Sequence, residues 1–323
     1  MDQLDAVITG VGAYLPERIL TNHDVERLAD TSDEWIRQRS GVTQRHFAAD
    51  GQATSDLMVE AAKNALNSAA LEPNDIGLII VGTVTPDKVF PSTAVYVQEK
   101  LNIPPCTAFD VVAACAGFVY GLDLAAKFVR SGEVNHALVI GGERLSGLID
   151  WEERSTCALF GDGAGACILS GQKANGEKNG VIASKLSADG RLADILYSTG
   201  GPGTTGELGS PVMNGKEVFK NAVANMCDAA TQVLAEADTE LDDVDWFIPH
   251  QANIRIIDAC AHKLNLDREK VIVTIDQHAN TSAASIPLAL DAAIKDGRIQ
   301  RGQLLLLTAL GAGLAWGGAL VRY

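Results

Sequence analysis

Cys115, His250 and Asn280 are of the residue types that supply a thiol nucleophile and its polar partners. Cys115 lies in residues 110–118, where small residues lead directly into a helical pattern. At the start of a helix, unpaired backbone N–H groups and the helix dipole favour the thiolate over the thiol. A free cysteine is also often a small buried apolar residue. The partners of Cys115 must therefore decide between these two interpretations.

An internal repeat predicts how the chain would position such partners. Helical and apolar strand segments alternate, which is the pattern of an α/β protein. Residues 75–82 and 243–250 each read as a turn and a buried strand after a long amphipathic helix, and residues 100–103 recur as 263–266. Weak echoes of this kind also arise by chance in alternating chains, but here several segments agree.

The repeat relates Cys115 to Asn280. Each lies 17 residues before the glycine that ends the following helix, Gly132 or Gly297. His250 ends the strand that corresponds to the one before Gly82 in the first half. Ligands of open α/β sheets bind outside the carboxyl ends of strands. A duplicated sheet is therefore expected to bring these three distant residues together.

Two histidines compete as the partner of the thiol. His250 follows a hydrophobic strand directly, whereas His278 lies two residues before Asn280. The repeat favours Asn280 opposite Cys115 and leaves His278 in the preceding turn. The remaining histidines lie on polar or helical surface patterns: His23, His46, His136 and His262.

Composition limits the class of protein. The chain has 323 residues, 47% hydrophobic and 21% charged, with a net charge of −15, which argues against a nucleic-acid surface. Six cysteines without a CxxC pair and an acidic N-terminus without a secretory signal predict reduced thiols, a cytoplasmic protein and no zinc site. Residues 304–321 are long enough to span a membrane, but their glycines predict strand, turn and strand instead, so no membrane association is expected.

A series of landmarks carries a family resemblance along essentially the whole chain. In order and spacing they resemble β-ketoacyl-[acyl-carrier-protein] synthase III, a condensing enzyme of the thiolase fold. The landmarks are residues 31–36, 40–42, 90–92, 110–118, 160–166, 249–253, 279–283 and 316–322. The resemblance implies two pseudo-twofold-related α/β halves in an α-β-α-β-α arrangement, which we place at residues 1–175, with the cysteine, and 176–323, with the histidine and asparagine.

The resemblance also implies a reaction. A short acyl-coenzyme A, acetyl-coenzyme A first among candidates, would acylate Cys115, and a malonyl group on acyl carrier protein would then lose carbon dioxide and attack the acyl-cysteine to initiate fatty-acid synthesis. The backbone N–H groups of Cys115 and Ala312 would form the oxyanion hole, and His250 and Asn280 would stabilise the second thioester oxygen. No metal or cofactor is expected. Ala312 departs from the family's three-glycine turn.

Further roles follow from the resemblance, residue by residue. Trp35 and Arg154 would sandwich the adenine, and Arg39 would contact phosphate. Phe90 would close the partner's acyl pocket across a homodimer interface, and Leu310 stands where the family often has phenylalanine. The other residues carried over are Thr31, Phe219, Ala252 and Asn253 for coenzyme A, and Lys220, Arg255 and Lys263 for carrier-protein docking. Lys216 stands where the family often has asparagine.

Three alternatives compete with this interpretation. An enzyme of the same fold could transfer acyl groups or condense unusual substrates in a secondary pathway. A cysteine hydrolase would also use Cys, His and Asn, but it predicts hydrolysis without condensation. A non-catalytic subunit of a condensing complex would be expected to lack Cys115.

Overall fold

Strands and helices alternate along the chain, as the sequence predicts. The structure is a computed structural model and describes residues 3–323. The strands are β1 Leu4–Tyr14, β2 Arg18–Thr21, β3 Gln44–Phe47, β4 Leu78–Gly82, β5 Thr107–Val111, β6 His136–Glu143, β7 Gly163–Lys173, β8 Gly180–Ala188, β9 Leu196–Ser198, β10 Pro211–Met213, β11 Trp246–Pro249, β12 Leu304–Gly311 and β13 Ala315–Arg322. The α-helices are α1 Asn22–Val25, α2 Asp33–Ser40, α3 Thr54–Ala69, α4 Thr93–Lys100, α5 Gly117–Arg130, α6 Arg154–Cys157, α7 Gly215–Glu236, α8 Ile254–Lys263, α9 Ile275–His278 and α10 Ser285–Lys295.

Two mixed sheets form the centre of the protein. The first has the strand order β1-β7-β6-β4-β5, in which β4 runs parallel to both β5 and β6. The second has the order β11-β12-β13-β8, in which β11 and β12 are parallel. Every residue of β4 is buried. A continuous apolar run of this kind is typical of a parallel strand that is covered on both faces.

Helices cover and separate the two sheets. Helices α5 and α10 lie between the sheets and contact strands of both. Helices α3 and α4 cover the outer face of the first sheet, and α7 and α8 cover the second. The result is five layers in the order α-β-α-β-α, as expected. Helix α5 fits in the middle because most of its residues are small or apolar and buried.

The internal repeat is visible in the backbone. Asn102 and Asn265, from the recurring tetrapeptide, are both left-handed, with φ of 55° and 56°. The alanines directly before the candidate cysteine and asparagine, Ala114 and Ala279, have φ of 45° and 57°. Each begins a tight turn that leads through a short 3₁₀ segment into a central helix. The two 3₁₀ segments begin at Ala114 and Ser282, with φ of 45° and 49°. The turns are therefore equivalent, but Cys115 lies inside its 3₁₀ segment and Asn280 lies two residues before the other one.

Residues 304–321 form a hairpin, as the sequence predicts. Strands β12 and β13 pair antiparallel, from Leu304 opposite Arg322 to Gly311 opposite Ala315. Within residues 3–323, no helix has the length and apolar character needed to cross a membrane.

Candidate active site

Cys115 lies in the turn between the first sheet and a central helix. Strand β5 ends at Val111, a 3₁₀ turn covers Ala114–Ala116, and α5 begins at Gly117. The turn between β12 and β13 contacts this segment so closely that a Cβ on Gly311 would lie 2.5 Å from the Cys115 nitrogen. The hairpin from the second half of the chain therefore closes over the backbone of Cys115.

The acidity of Cys115 differs from the sequence expectation. Burial raises the pKa of its thiol to about 11, because the charged thiolate loses its hydration. The Ser282 hydroxyl lowers this pKa and the negative Glu143 carboxylate raises it, but burial has the largest effect. The Cys115 backbone N–H lowers the pKa of the thiol, in the direction that the helix start predicts, but the effect of burial is larger. Without a substrate, the raised pKa favours the thiol over the thiolate at neutral pH.

His250 is buried at the end of β11, with 2% of its surface exposed. Its backbone N–H donates to the Thr308 oxygen at 2.8 Å, and its Nδ1 lies 2.6 Å from Ser285 Oγ. Ser285 Oγ also accepts the Gln251 N–H at 3.2 Å. Because that acceptor role leaves the Ser285 proton free, we assign it to His250 Nδ1, which puts the ring proton on Nε2. Burial lowers the pKa of His250 to about 3, so the ring is a neutral donor.

Asn280 is fixed on both its backbone and its side chain. Its N–H donates to the Leu159 oxygen and its own oxygen accepts the Gly161 N–H, both at 3.0 Å. Its Oδ1 accepts the Ser282 N–H at 2.9 Å. The Nδ2 group has only a long 3.5 Å contact to the Ala252 oxygen. The side chain can therefore still donate a hydrogen bond to a ligand.

One cavity of about 720 Å³ brings the three residues together. Its wall contains Cys115, His250 and Asn280, together with Ala312 and the buried Leu310. The rest of the lining is largely apolar. A site with few polar groups in an apolar wall suits a ligand with a small polar reacting centre.

A second cavity of about 470 Å³ leads from the surface. The two cavities adjoin, since five residues line both: Leu159, Met213, Val218, Asn253 and Ile256. The Trp35, Arg39 and Phe219 side chains line the outer cavity, and Ala252 lines the inner one. The Arg154 guanidinium lies 4.5 Å from the centre of the Trp35 ring.

Some predicted residues lie away from these cavities in a single chain. Thr31 lines neither cavity, although its neighbour Asp30 accepts a 3.5 Å contact from Arg154. Phe90 is also outside the linings and is 81% exposed. His278 is buried, its Nδ1 has no partner, and it does not line the cavity of Cys115.

The predicted basic residues are all exposed on the α7 and α8 face. Arg255 lies 5.6 Å from the centre of the Phe219 ring. Lys220 is the next residue on α7, whereas Lys263 ends α8, about 12 Å along the helix from Arg255 at 1.5 Å per residue. Lys216 lines the outer cavity.

Sequence reasoning missed three polar residues of the site. Ser285 binds His250, Ser282 binds the Asn280 side chain, and Glu143 is buried close enough to affect the Cys115 thiol. The two serines follow Asn280 in a segment of small residues, where their types alone do not distinguish them from their neighbours. Glu143 ends the apolar run of β6, and a carboxylate at a strand end was the available signal.

Comparisons with known proteins agree with this geometry. Residues 109–190 match the family described as 3-oxoacyl-[acyl-carrier-protein (ACP)] synthase III, and residues 234–323 match its C-terminal family. Residues 33–146 also match the family of stage V sporulation protein AD. The β-ketoacyl-[acyl-carrier-protein] synthase III of Caulobacter vibrioides is 53% identical over 319 residues, 98% of this chain and 99% of the relative. The chain belongs to the β-ketoacyl-[acyl-carrier-protein] synthase III family.

Other members of the β-ketoacyl-[acyl-carrier-protein] synthase III family support the same conclusion. The enzyme of Rhizorhabdus wittichii is 52% identical over 98% of this chain and 99% of the relative. The crystal structure of the Aquifex aeolicus enzyme has a TM-score of 0.93, with 46% identity over 98% of this chain and 100% of that one. The thiolase-like fold is confirmed, and the chain is a condensing acyltransferase of the step that initiates fatty-acid synthesis.

Proposed function

We propose that this enzyme condenses a short acyl-coenzyme A, acetyl-coenzyme A first among candidates, with malonyl-acyl carrier protein through an acyl group on Cys115. One observation carries the proposal: the Cys115, His250 and Asn280 side chains line a single, largely apolar cavity, which adjoins the outer cavity of Trp35 and Arg39. No cofactor enters the proposed reaction. Intact-mass measurement of acyl adducts tests both the acyl donor and the residue that carries the acyl group.

In the first half-reaction, Cys115 Sγ attacks the thioester carbon and coenzyme A leaves as a thiolate. The reactant and the product of this step are both thioesters, so their free energies are similar. The barrier therefore depends on how well the site stabilises the oxyanion that forms between them. The Cys115 and Ala312 N–H groups are the proposed donors, since the 311–313 turn contacts the cysteine backbone. The Ala312 amide can donate as a glycine amide does.

In the second half-reaction, loss of carbon dioxide from the malonyl group leaves an enolate that attacks the acyl-cysteine carbon. Negative charge develops on the thioester oxygen of the malonyl group. His250 Nε2–H and Asn280 Nδ2–H are the proposed donors to it, because the other polar atom of each side chain already has a partner. Removal of one preorganised donor raises such a barrier by about 3 to 4 kcal/mol.

The outer cavity is the proposed coenzyme A site. Trp35 and Arg154 offer two flat surfaces for the adenine, but they stack on one another at 4.5 Å. Binding between them therefore requires Arg154 to move outward. Arg39 is exposed on the same helix as Trp35, one turn further on, where it can reach a phosphate. Phe219, Ala252 and Asn253 would line the pantetheine path, with Thr31 behind the adenine pair.

The exposed basic residues beside this opening are the proposed carrier-protein surface. Arg255 and Lys220 lie close to the outer cavity, and Lys263 extends the surface along α8. Acyl carrier protein is acidic, so clustered positive charge would speed its encounter with an enzyme whose net charge is −15.

A homodimer is the proposed assembly. Strand β5 is an outer strand of the first sheet, and Val89, Phe90 and Val112 beside it are 72%, 81% and 80% exposed. An open strand edge beside an exposed apolar cluster favours association. In such a dimer Phe90 would reach the partner's acyl pocket, opposite Leu310.

Two further proposals concern the chain as a whole. The halves are proposed to divide between residues 1–175 and 176–323, because β1 to β7 build the first sheet group and β8 begins the second. The unpaired state of all six cysteines supports the proposed cytoplasmic location.

Intact-mass measurement after mixing with several acyl-coenzyme A species tests the proposed function. We expect one acyl adduct, which Cys115→Ser abolishes. In His250→Ala the adduct should form, while product formation with malonyl-acyl carrier protein collapses. No adduct with any donor would refute the proposal. Acyl transfer to another acceptor without release of carbon dioxide would instead support the secondary-pathway alternative.

A further inference from the structure

We propose that the buried Arg45 side chain positions Asn280 for the condensation step, by holding the segment 158–161 to which the Asn280 backbone binds. The inference rests on the proposed role of Asn280 as a hydrogen-bond donor. Arg45 lines neither cavity. It is therefore a positioning residue that acts through the backbone of its neighbours.

Arg45 is a cation in the interior of the protein. It lies in β3, and none of its surface is exposed. Burial lowers its pKa to about 10, so the guanidinium is still charged at neutral pH. Its hydrogen bonds within residues 3–323 go to uncharged oxygens, those of Leu20, Asn22 and Ala158. A buried charge costs free energy, and an apolar side chain would fill this space at lower cost unless these contacts are needed.

The two ends of the guanidinium have different partners. Nη1 donates to Asn22 Oδ1 at 2.9 Å, and Nη2 donates to the Ala158 oxygen at 2.8 Å. Asn22 is itself fixed, since its Nδ2 donates to the Val42 oxygen and to the Asp33 carboxylate, both at 2.8 Å. A guanidinium is a planar fork whose donors point in fixed directions, so it can bind both acceptors at once. Arg45 therefore ties Ala158 to a fixed anchor.

The segment 158–161 binds the Asn280 backbone on both sides. The Leu159 oxygen accepts the Asn280 N–H, and the Gly161 N–H donates to the Asn280 oxygen, both at 3.0 Å. Phe160, between them, forms a parallel β-bridge with Asn280. The position of the Asn280 backbone therefore follows the position of this segment.

Arg45 contacts both ends of the same segment. Its guanidinium binds the Ala158 oxygen, and its Cβ packs against Gly161, where an added Cβ would lie 3.1 Å from it. The residues that bind Asn280 lie between these two contacts or at one of them. One side chain therefore fixes both hydrogen bonds to the Asn280 backbone.

The donor end of the Asn280 side chain depends on that backbone. Its Oδ1 accepts the Ser282 N–H at 2.9 Å, but its Nδ2 has only a long contact of 3.5 Å to the Ala252 oxygen. A small displacement of the backbone therefore changes where Nδ2 points. A displacement of about 1 Å at a catalytic group can slow a reaction about 10²-fold.

Other contacts of β3 hold the far end of the loop without Arg45. The His46 oxygen accepts the Asp162 N–H, and the Ala48 N–H donates to Asp162 Oδ2, both at 2.8 Å. Loss of the Arg45 guanidinium should therefore loosen the Ala158 end while Asp162 keeps its place.

Replacement of Arg45 by methionine removes the donors and keeps an unbranched side chain in the space. Arg45→Lys keeps the charge but replaces the fork with a single ammonium, which cannot span both acceptors. Arg301→Met is the matched control. The Arg301 guanidinium also donates to backbone oxygens, those of Ile8 and Thr9, but it lies outside both cavities.

A double-mutant cycle with Asn280→Ala is the test. It compares single-turnover acylation by saturating acetyl-coenzyme A with carbon dioxide release from malonyl-acyl carrier protein. Arg45→Met should slow condensation about 10- to 100-fold and acylation less than about threefold. Arg45→Lys should slow condensation about 3- to 10-fold, and Arg301→Met should change neither rate. In the Asn280→Ala background, Arg45→Met should slow condensation no further, because the donor that it positions is absent.

Hydrogen exchange measures the positioning without activity. Peptides that contain residues 157–163 and 279–284 should exchange faster in Arg45→Met than in the wild type, because the N–H groups of Asn280 and Gly161 lose fixed acceptors. Arg301→Met should leave both peptides unchanged.

The two measurements separate the possible failures. If Arg45→Met slows condensation equally with and without Asn280, or if exchange is unchanged in both peptides, the positioning role is overturned. If Arg45→Met does not fold, Arg45→Lys enters the same cycle and decides in the same way. If Asn280→Ala alone condenses at the wild-type rate, the proposed donor role of Asn280 fails, and exchange at residues 279–284 decides whether Arg45 holds the segment.

Discussion

Replacing Ser285 by alanine should show how the fold sets the proton position on His250. The Ser285 hydroxyl lies 2.6 Å from Nδ1 and stabilises the tautomer with its proton on Nε2. One hydrogen bond contributes about 1 kcal/mol, so loss of the tautomer preference alone should slow condensation about fivefold. Complete loss of the His250 donor would slow it about 10²- to 10³-fold. We expect Ser285→Ala to fall between these limits.

The same substitution should leave acylation of Cys115 nearly unchanged. The assay compares the single-turnover acylation rate with the rate of carbon dioxide release from malonyl-acyl carrier protein. Stability should also fall by about 1 to 3 kcal/mol, because the buried Gln251 N–H loses its acceptor, and thermal unfolding measures this. Condensation at the wild-type rate would refute the tautomer assignment. If the rates of both half-reactions fall equally, Ser285 affects Cys115 as well as His250.

Three further predictions test other parts of the site. Gly311→Ala should slow acylation more than about 100-fold, since its Cβ would lie 2.5 Å from the Cys115 nitrogen; a near-normal single-turnover rate would contradict the proposed oxyanion hole. Trp35→Ala should raise KM for acyl-coenzyme A about 2- to 30-fold with little change in kcat, the range of a cation–π contact such as that with Arg154, and an acyl-pantetheine substrate should show no difference. Lys220→Glu should raise KM for malonyl-acyl carrier protein, most at low salt, without slowing acylation by acetyl-coenzyme A, and an unchanged KM would exclude Lys220 from the docking surface.

The architecture and the central residues of the site could be predicted from the sequence because they follow local patterns. Buried strands, helix ends and the recurring Asn102 and Asn265 segments are short-range signals, and their repetition relates two turns that are far apart in the chain. His250 directly follows the parallel strand β11, which predicts that it lies at the same edge of the sheets as the two turns. Each of these inferences needs only the period and order of elements.

The acidity of the site could not be predicted in the same way. The position of Cys115 before α5 correctly indicates an N-terminal turn. The helix start stabilises the thiolate less than the loss of hydration destabilises it, so the pKa of the thiol is raised. The burial of Cys115 depends on the β12–β13 hairpin of the second sheet, which lies about 200 residues away in the sequence. Glu143 and Ser282 were missed for the same reason, because their significance depends on a contact between β6 and the turn before α10.

Duplication explains how this fold can hold a thiol between two sheets and still place polar groups beside it. The two central helices begin from equivalent turns, so the start of α5 and the start of α10 meet between the sheets. One turn provides the sulfur, and the other provides the Asn280 amide and the Ser282 hydroxyl. Apolar layers on both sides exclude water from the cavity. The exclusion of water favours the neutral thiol over the thiolate, and it also strengthens each fixed hydrogen bond in the cavity. The turn before α10 therefore places polar groups in the same cavity as the sulfur.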